Sequence, residues 1–467
     1  MLFNSYEFLF LFLPIVLLGY FVLFRHRGRL LFLTLASYLF YGWWDFRFCG
    51  LMLFSTALDY TAGLIIERSA TARRRRAWLA VSVVANLSLL GFFKYFDLAA
   101  GTVNQLASAL GATHPLLPLL QVTLPVGISF YTFQSMSYTI DVYQRVVPAQ
   151  RSFLQFAFYV SFFPQLVAGP IVRYRDLADQ LVGRTHSLAL AARGAALFAL
   201  GLGKKVILAD AVAPLAEAVF GLPQPGLADA WLGVLAYTMQ IYFDFSAYSD
   251  MAVGLGLFFG FRFPQNFNSP YMAVSITDFW RRWHMSLSTW LRDYLYIPLG
   301  GNRHGPVRTY INLLLTMLLG GLWHGANWTF LIWGGFHGAW LAIERARGGR
   351  LWGVGTPVWV QRMTTFLLVM VGWVYFRCTS VGQAHDLLGG LVGAHGLSSR
   401  LAGGLGEWKL ALAALPLCLG LAWFAPNTWQ LRWSAGMPTI IVLLLLFVLC
   451  VAVLLVNSSS PFLYFQF

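Results

Sequence analysis

The sequence predicts an all-helical protein that crosses a membrane many times. Of its 467 residues, 58% are hydrophobic and only 11% are charged, whereas soluble domains average about 25% charged residues. Apolar stretches close to the roughly 20 residues that span a bilayer recur along the whole chain. Because neither an internal repeat nor a long polar linker is visible, we expect a single integral-membrane domain over residues 1–467.

The apolar stretches predict the individual membrane segments. The first, 6–24, lacks the basic start and the cleavage site of a signal peptide, so we expect it to be retained. Several later stretches are short or carry polar residues, so we expect about 11 to 13 segments, with re-entrant ones among them. The further stretches are 30–44, 48–66, 77–98, 116–140, 153–171, 188–213, 229–260, 309–343 (in two pieces), 358–376, 408–425 and 438–456.

The basic residues lie between the apolar stretches. Lys and Arg outnumber Asp and Glu by 32 to 18, a net charge of +14, and they cluster at Arg25–Arg29 and Arg73–Arg76. This placement indicates positive-inside anchoring and contact with anionic membrane lipids. It argues against nucleic acid as a partner.

The cysteines do not form a metal or disulfide pattern. Cys49, Cys378, Cys418 and Cys450 lie far apart, mostly within apolar stretches and without CxxC spacing. That distribution argues against a disulfide framework and against a zinc site. The sequence therefore predicts chemistry without a bound metal ion.

Polar residues concentrate in the segment Ser275–Gly305. Its sequence, "SITDFWRRWHMSLSTWLRDYLYIPLGGNRHG", predicts a helix that begins near Asp278 and is limited by Pro298. At about 100° per residue, most of its tryptophans fall on one face and its arginines on the other, as in a helix at the headgroup boundary. His284 lies at the border of the two faces, where it is either an ordinary interfacial histidine or a functional one.

The arginines of this segment have two interpretations. Arg281, Arg282 and Arg292 either bind the phosphates of a soluble cofactor or anchor the helix to lipid headgroups. Just upstream, Asp244 and Asp250 lie within an apolar stretch, where carboxylates are costly and face a cavity or a partner. They either line a tunnel or pair with arginines, and we favour the structural pairing.

Two further histidines stand in the apolar stretch "GGLWHGANWTFLIWGGFHG" (320–338). On one continuous helix His324 and His337 would lie about 20 Å apart, so they need not act together. An ionisable residue inside a membrane segment is a functional candidate, and a buried imidazole stays neutral and available as a base. We interpret His324 as functional, with a structural role as the alternative, and His337 as structural.

Long motifs resemble the membrane-bound O-acyltransferases, most closely the bacterial branch that contains alginate O-acetyltransferases. The resemblance rests on "DFWRRWHMSLSTWLRDYLYIPLGGNR" (278–303) followed by "GGLWHGANWTFLIWGGFHG". It extends to "FFPQLVAGPIVRYRDL" (162–177), "FDFSAYSDMAVGLGLFFGF" (243–261) and the C-terminal "PFLYFQF", and thus covers essentially the whole chain. It implies a helical membrane fold around a central tunnel.

The same resemblance implies an activity and a site. His324, in the "WHG" motif, and His284, in "RRWHMSLS", match the family's catalytic positions. We expect His324 to be the general base, and His284, Asn327 or a backbone N–H to stabilise the oxyanion. Trp323 and Asp293 are expected to support the site or line the tunnel. The phosphates of the donor are expected near four arginines: Arg281, Arg282, Arg292 and Arg303.

In this branch acetyl-CoA from the cytoplasm is the donor, and no metal takes part. The resemblance implies a multi-pass protein of the bacterial inner membrane that passes acetyl to a periplasmic partner similar to SGNH hydrolases. The polysaccharide acceptor implied is alginate or cellulose, with peptidoglycan as an alternative within the same class.

Two interpretations from other functional classes compete with the interpretation as an enzyme. A transporter for a polysaccharide system would also have many segments and buried polar residues, but it predicts inverted repeats, which the sequence does not show. A scaffold for a polysaccharide synthase would carry inert histidines. Hydrolysis of a thioester by the purified protein, if it is lost when His324 is changed, distinguishes an enzyme from both the transporter and the scaffold.

Overall fold

The computed structural model describes residues 1–23, 26–349, 352–353, 355–397, 399, 401, 406–431, 436–456 and 461–463. Every regular element within these ranges is a helix, which confirms the all-helical prediction. The chain divides into two compact units, Met1–Ser187 with Gly256–Phe263 and Leu188–Leu255 with Pro264–Phe467. That the whole chain acts as one domain stays a prediction.

The first unit consists of helices joined by short connections. They are α1 (Leu13–Leu18), α2 (His26–Gly42), α3 (Arg47–Arg68), α4 (Ala72–Ala109), α5 (Ile128–Tyr143), α6 (Phe153–Ser161), α7 (Phe163–Leu166) and α8 (Tyr174–Val182). The predicted segment 116–140 is helical only from Ile128, because prolines precede it and Gly127 turns the chain with a φ of 77°. The predicted segment 153–171 is interrupted at Phe162, where α6 ends and α7 begins.

The second unit contains all the candidate site residues. Its helices are α9 (Leu188–Gly203), α10 (Asp210–Phe220), α11 (Leu227–Phe258, of which the last three residues belong to the first unit), α12 (Ile276–Trp280), α13 (Met285–Leu291), α14 (Gly305–His324), α15 (Trp328–Ala346), α16 (Val358–Arg377), α17 (Val381–Leu391), α18 (Lys409–Phe424) and α19 (Met437–Val456). The π-helical turns Lys204–Ala209 and Arg292–Tyr296 follow α9 and α13.

Four helices of the described chain are long and apolar enough to cross a bilayer: α3, α4, α16 and α19. Shorter apolar helices occupy Glu7–Leu23 and Lys409–Phe424. Many of the other expected segments are shorter or more polar, so the count of 11 to 13 stays a prediction. The expected division of 309–343 into two pieces is confirmed, since α14 ends at His324 and α15 begins at Trp328.

The prediction of a continuous amphipathic helix from Asp278 to Pro298 is wrong. Ser275, not Asp278, caps α12 by accepting a hydrogen bond from the Asp278 backbone N–H (3.1 Å). The helix then stops at Trp280, because the backbone of the next turn bonds to another segment. Met285 N–H donates to the carbonyl of Asn266 (2.9 Å) instead of to residue 281, and His284 turns the chain with a φ of 42°.

A buried carboxylate holds this interrupted segment in place. Glu344, near the end of α15 and fully buried, accepts hydrogen bonds from the backbone N–H of Ile276 (2.6 Å) and of Thr277 (2.9 Å). It also accepts one from the Thr277 hydroxyl (2.6 Å). These N–H groups begin α12 and have no partner within the helix, and a carboxylate at a helix N-terminus is favoured by the helix dipole. Glu344 therefore couples α12 to α15.

Candidate active site

Glycines bring α14 and α15 together and thereby place His324. A Cβ on Gly321 would meet the carbonyl oxygen of Phe330 at 2.3 Å, and one on Gly334 would meet that of Met317 at 2.3 Å. Any side chain at these positions would force the helices apart, so glycine alone permits this packing. Gly325 sits against the Phe330 ring in the same way. The hairpin consequently holds His324, the last residue of α14, in the interior.

His324 is enclosed by aromatic rings. It is 6% exposed, and its ring centroid lies 4.9 Å from that of Trp323, 5.2 Å from Trp333 and 5.1 Å from Phe376. Apolar walls of this kind exclude bulk water from the ring. The tertiary structure thus places His324 in an apolar enclosure.

The structure also brings His284 to His324. The two ring centroids are 6.5 Å apart, although forty positions separate the residues in the chain. His284 is fully buried, with the Phe245 ring packed edge-on at 4.8 Å. A φ of 42° is rare for a residue other than glycine, and such backbone strain concentrates at functional sites. The expected pair therefore forms, and the left-handed turn at His284 makes it possible.

Asn266 fixes the tautomer of His284. Its Oδ1 atom lies 3.2 Å from the backbone nitrogen of Ser286, and because a backbone N–H can only donate, this atom must be an acceptor oxygen. His284 Nδ1 lies 3.1 Å from the same oxygen and must therefore carry a proton. The Asn266 amide nitrogen donates to Ser249 Oγ (3.0 Å), which agrees with this orientation. The Nε2 atom of His284 is left with a lone pair and has no hydrogen-bond partner among the described residues.

This arrangement determines what His284 can do. It belongs to the connection between α12 and α13 and not to a membrane-spanning helix, and burial away from water lowers its pKa to about 3. Near neutral pH the ring is thus uncharged, and its Nε2 atom accepts but does not donate. A donor role toward an oxyanion would require the other tautomer, so the oxyanion role expected for His284 stays a prediction.

A small cavity of about 10 Å³ lies beside His324, about the space that one water molecule needs. Trp283, Trp333, Trp373 and Phe376 supply aromatic walls. The indole N–H of Trp333 has no hydrogen-bond partner within the described chain, and Trp333 is 1% exposed. A buried unsatisfied donor is unusual and costs free energy unless a ligand or water meets it. Sequence reasoning did not single out Trp333, because one more tryptophan in an aromatic stretch carries no distinguishing signal.

Asp244 lines the same cavity, and its partner is not an arginine as expected. Lys205 Nζ donates to Asp244 Oδ1 (2.7 Å) and lies 2.8 Å from Asp210 Oδ1. The adjacent Lys204 pairs in the same way with Asp250 (2.6 Å). The π-helical turn at these lysines places both amines toward α11. The structural interpretation of the two aspartates is supported, and Asp244 is in addition a wall residue.

Two of the supporting residues expected from sequence are engaged elsewhere. Asn327 caps α15 by accepting the Thr329 N–H (3.1 Å), and its amide donates to the carbonyl of Thr379 (2.7 Å). Asp293 pairs with its neighbour Arg292 (2.7 Å). Trp323, by contrast, packs on both catalytic candidates, 4.9 Å from His324 and 6.1 Å from His284 between ring centroids.

The four donor-site arginines do not converge on one place. Arg282 pairs with Asp278 (2.9 Å), Arg292 pairs with Asp293, and Arg303 is exposed. Arg281 lines an open polar cavity of about 670 Å³ together with Arg345, a residue that sequence reasoning missed. The hydroxyl and amide groups of Thr277, Asn302, Thr309 and Tyr310 also line it, as does the carboxylate of Asp278, the partner of Arg282. Binding of the donor phosphates here stays a prediction.

His337 lies among aromatic rings, one of which, Trp333, also packs on His324. Its Nδ1 accepts a long hydrogen bond from the Trp280 indole N–H (3.4 Å), and its ring packs near Phe279, Trp280 and Trp333. Gly372 provides the room, since a Cβ there would lie 2.9 Å from His337 Nε2. This environment agrees with a packing role. In the described part of the chain there is no group of three or more metal-ligating side chains.

Comparison with known proteins identifies relatives of the whole chain. A family model described as "MBOAT, membrane-bound O-acyltransferase family" matches residues 144–381. A probable alginate O-acetylase of Azotobacter vinelandii is 53% identical over 82% of this chain and 76% of its own length. One of Pseudomonas putida is 46% identical over 100% of both chains. A peptidoglycan O-acetyltransferase of Helicobacter pylori is 39% identical over 85% of this chain and 81% of its own.

The tautomer of His284 is directly measurable. In protein labelled with ¹⁵N-histidine, the signal that a His284→Gln variant lacks is expected to show a protonated Nδ1 and an unprotonated Nε2. Asn266→Leu removes the acceptor and should move that signal toward the Nε2-protonated form. Ser288→Ala is the matched control, because this hydroxyl bonds the carbonyl of Trp283 and not Asn266. An Nε2-protonated ring in the unsubstituted protein would contradict the assignment.

Proposed function

Because this chain belongs to the membrane-bound O-acyltransferase family and is a multi-pass membrane O-acyltransferase, we propose that it transfers acetyl groups from acetyl-CoA for the O-acetylation of an exopolysaccharide such as alginate. The observation that carries the proposal is the His284–His324 pair, in which His324 lines a small, aromatic-walled cavity. The donor is a cytoplasmic metabolite and the polymer lies outside, so the protein acts in the bacterial inner membrane.

His324 is the general base of this reaction. It takes the proton of an acceptor hydroxyl while that oxygen attacks the thioester carbonyl, which forms the new C–O bond. The tetrahedral intermediate then collapses, the C–S bond breaks, and the proton passes to the departing thiolate of CoA. Aromatic walls around His324 limit the access of water to the thioester, so that hydrolysis in the absence of an acceptor is slow compared with transfer but still releases free thiol.

Trp333 and His284 complete the site in different ways. The negative charge that develops on the carbonyl oxygen needs a donor, and the unpartnered indole N–H of Trp333, on the wall of the same cavity, supplies one. His284 accepts through Nε2 and therefore orients a hydroxyl or amide hydrogen of the substrates. The tautomer set by Asn266 gives this acceptor its permanent lone pair.

The acetyl group leaves through a second protein. The chain passes acetyl to a periplasmic partner similar to SGNH hydrolases, which esterifies the polymer. Alginate as the polymer is supported by the probable alginate O-acetylases at 46–53% identity. Peptidoglycan is the second candidate, supported by the peptidoglycan O-acetyltransferase at 39% identity.

Loss of the histidines tests the chemistry. In purified full-length protein, His324→Ala is expected to lower the release of free CoA thiol from acetyl-CoA by about a hundredfold or more, since a general base contributes on that order. His284→Ala should also lower it. His114→Ala, at an exposed histidine, is the matched control and should leave the rate unchanged. Full turnover by a folded His324→Ala protein would refute the proposed role.

A second prediction concerns the open polar cavity lined by Arg281 and Arg345. If Arg281 binds a phosphate of CoA, Arg281→Ala should raise the KM for acetyl-CoA about tenfold with little change in kcat, which corresponds to one charge-assisted hydrogen bond. The KM for S-acetyl-N-acetylcysteamine, a thioester without phosphates, should not change. Arg303→Ala is the control, because Arg303 is exposed and does not line this cavity. An equal rise in KM for both thioesters would show that the phosphates of CoA bind elsewhere.

An experiment in cells identifies the polymer that receives the acetyl group. Expression of the chain with its partner in strains that lack their own O-acetylation is expected to restore ester-linked acetate on alginate and to leave peptidoglycan unmodified. Polymer-bound acetate released by mild alkali measures both. Acetate found on peptidoglycan alone would identify peptidoglycan, and not alginate, as the acceptor. The His324→Ala variant controls for acetylation by other enzymes.

A further inference from the structure

The tripeptide Pro461–Leu463, near the C-terminal end of the sequence, reaches the cavity beside His324. Leu463 lines this cavity together with His324, Phe376 and Asp244, and it is 5% exposed. A segment from the far end of the chain, more than a hundred positions beyond His324, therefore forms part of the wall next to the base.

Strong interactions hold this tripeptide in place. The backbone N–H of Leu463 donates to Asp244 Oδ2 (2.8 Å), and Lys205 Nζ donates to the carbonyl of Pro461 (3.2 Å). Phe462 between them is 1% exposed, packs edge-on against Tyr248 at 5.0 Å and lies 4.8 Å from the Lys205 amine. The buried ion pair thus binds the main chain on both sides of Phe462, and hydrogen bonds to charged groups in a buried setting are strong.

This anchoring makes Leu463 a fixed wall. A side chain on a segment without such anchors would move aside for a larger ligand at little cost. Here a displacement of Leu463 would break the hydrogen bond to Asp244 and leave a buried carboxylate with one partner fewer, which is costly. The cavity in front of it has a volume of about 10 Å³, room for one small group such as the methyl of acetyl, so each methylene added to that methyl would meet this wall.

We infer that Leu463, held by Asp244 and Lys205, limits the acyl group that can react at His324 to about the size of acetyl. This inference rests on the proposed function and names a determinant of its donor specificity. A pocket that just accommodates one group discriminates against an added methylene by about tenfold or more. Removal of the leucine side chain beyond Cβ opens space of roughly the size of the methylenes that propionyl and butyryl add.

The experiment compares thioesters of increasing length on purified full-length protein. Acetyl-CoA, propionyl-CoA and butyryl-CoA are supplied to the unsubstituted protein and to Leu463→Ala, and free thiol release gives kcat/KM for each. The ratio of butyryl to acetyl kcat/KM is expected to rise about tenfold or more in Leu463→Ala. Leu463→Phe should lower turnover of acetyl-CoA itself, because the larger ring occupies the cavity.

Leu454→Ala is the matched control. Leu454, on α19, is also 5% exposed but does not line the cavity, so the same substitution should leave the ratio unchanged. Thermal unfolding midpoints of both alanine variants show whether either loses its fold. Because the readout is a ratio within one preparation, a partial loss of folded protein does not alter it.

The outcomes separate the inference from the function on which it rests. An unchanged ratio in folded Leu463→Ala, or a loss of acetyl turnover without any gain for longer thioesters, would overturn the inference while His324-dependent acetyl transfer stands. Absence of thiol release from acetyl-CoA in the unsubstituted protein would instead overturn the proposed function. A rise in the ratio in Leu454→Ala as well would show general loosening of the fold, and would also overturn the role of Leu463.

Discussion

The close contact of α14 and α15 is the constraint on which the rest of the site depends. Two glycines allow the helix backbones to approach until a single added carbon would collide with a carbonyl oxygen. This approach puts His324 at the end of one helix and Trp333 inside the other within 5.2 Å of each other. Glu344, farther along α15, then fixes the segment that carries His284. A wider helix pair would separate all of these groups at once.

Polar groups in the second unit are few, and their partners place the functional segments. In an apolar interior an unpaired charge or amide is expensive, so each pairing is strongly enforced. Asn266 binds His284 and sets its tautomer, and the Lys205–Asp244 pair holds the C-terminal tripeptide. The interruption between α12 and α13 follows the same logic, because the hydrogen bonds that the helix loses are made with residues 266–268. Interactions that stabilise the unit thereby also shape its cavity.

The two histidines are chemically distinct although both are buried. His284 has a determined tautomer, an unpartnered Nε2 and a strained backbone, whereas His324 ends a helix among aromatic rings. Such an arrangement suits proton transfer at one ring and hydrogen bonding at the other. The candidate hydrogen-bond donor to the oxyanion is therefore the indole N–H of Trp333 and not a histidine ring. The carboxylate on the cavity wall, Asp244, is paired with Lys205, because an unpaired charge in an apolar environment would be costly.

The amino-acid sequence by itself determined the fold class, the membrane setting and the identity of the two central histidines. Composition and apolar periodicity are local properties, and the motifs around His284 and His324 are long enough to be specific. The structural role expected for His337 stays a prediction. The division between α14 and α15 was also predictable, since Gly325 and Asn327 interrupt a helix pattern.

Only the tertiary structure decided which groups meet. A continuous helix through residue 284 was the natural expectation from periodicity, but hydrogen bonds to Asn266 override local helix propensity. The lysine partners of the aspartates, Arg345 beside Arg281, and Leu463 on the cavity wall come from distant parts of the chain. Periodicity shows which side of a helix is apolar but not which remote side chain packs there, and that pairing depends on the three-dimensional fold.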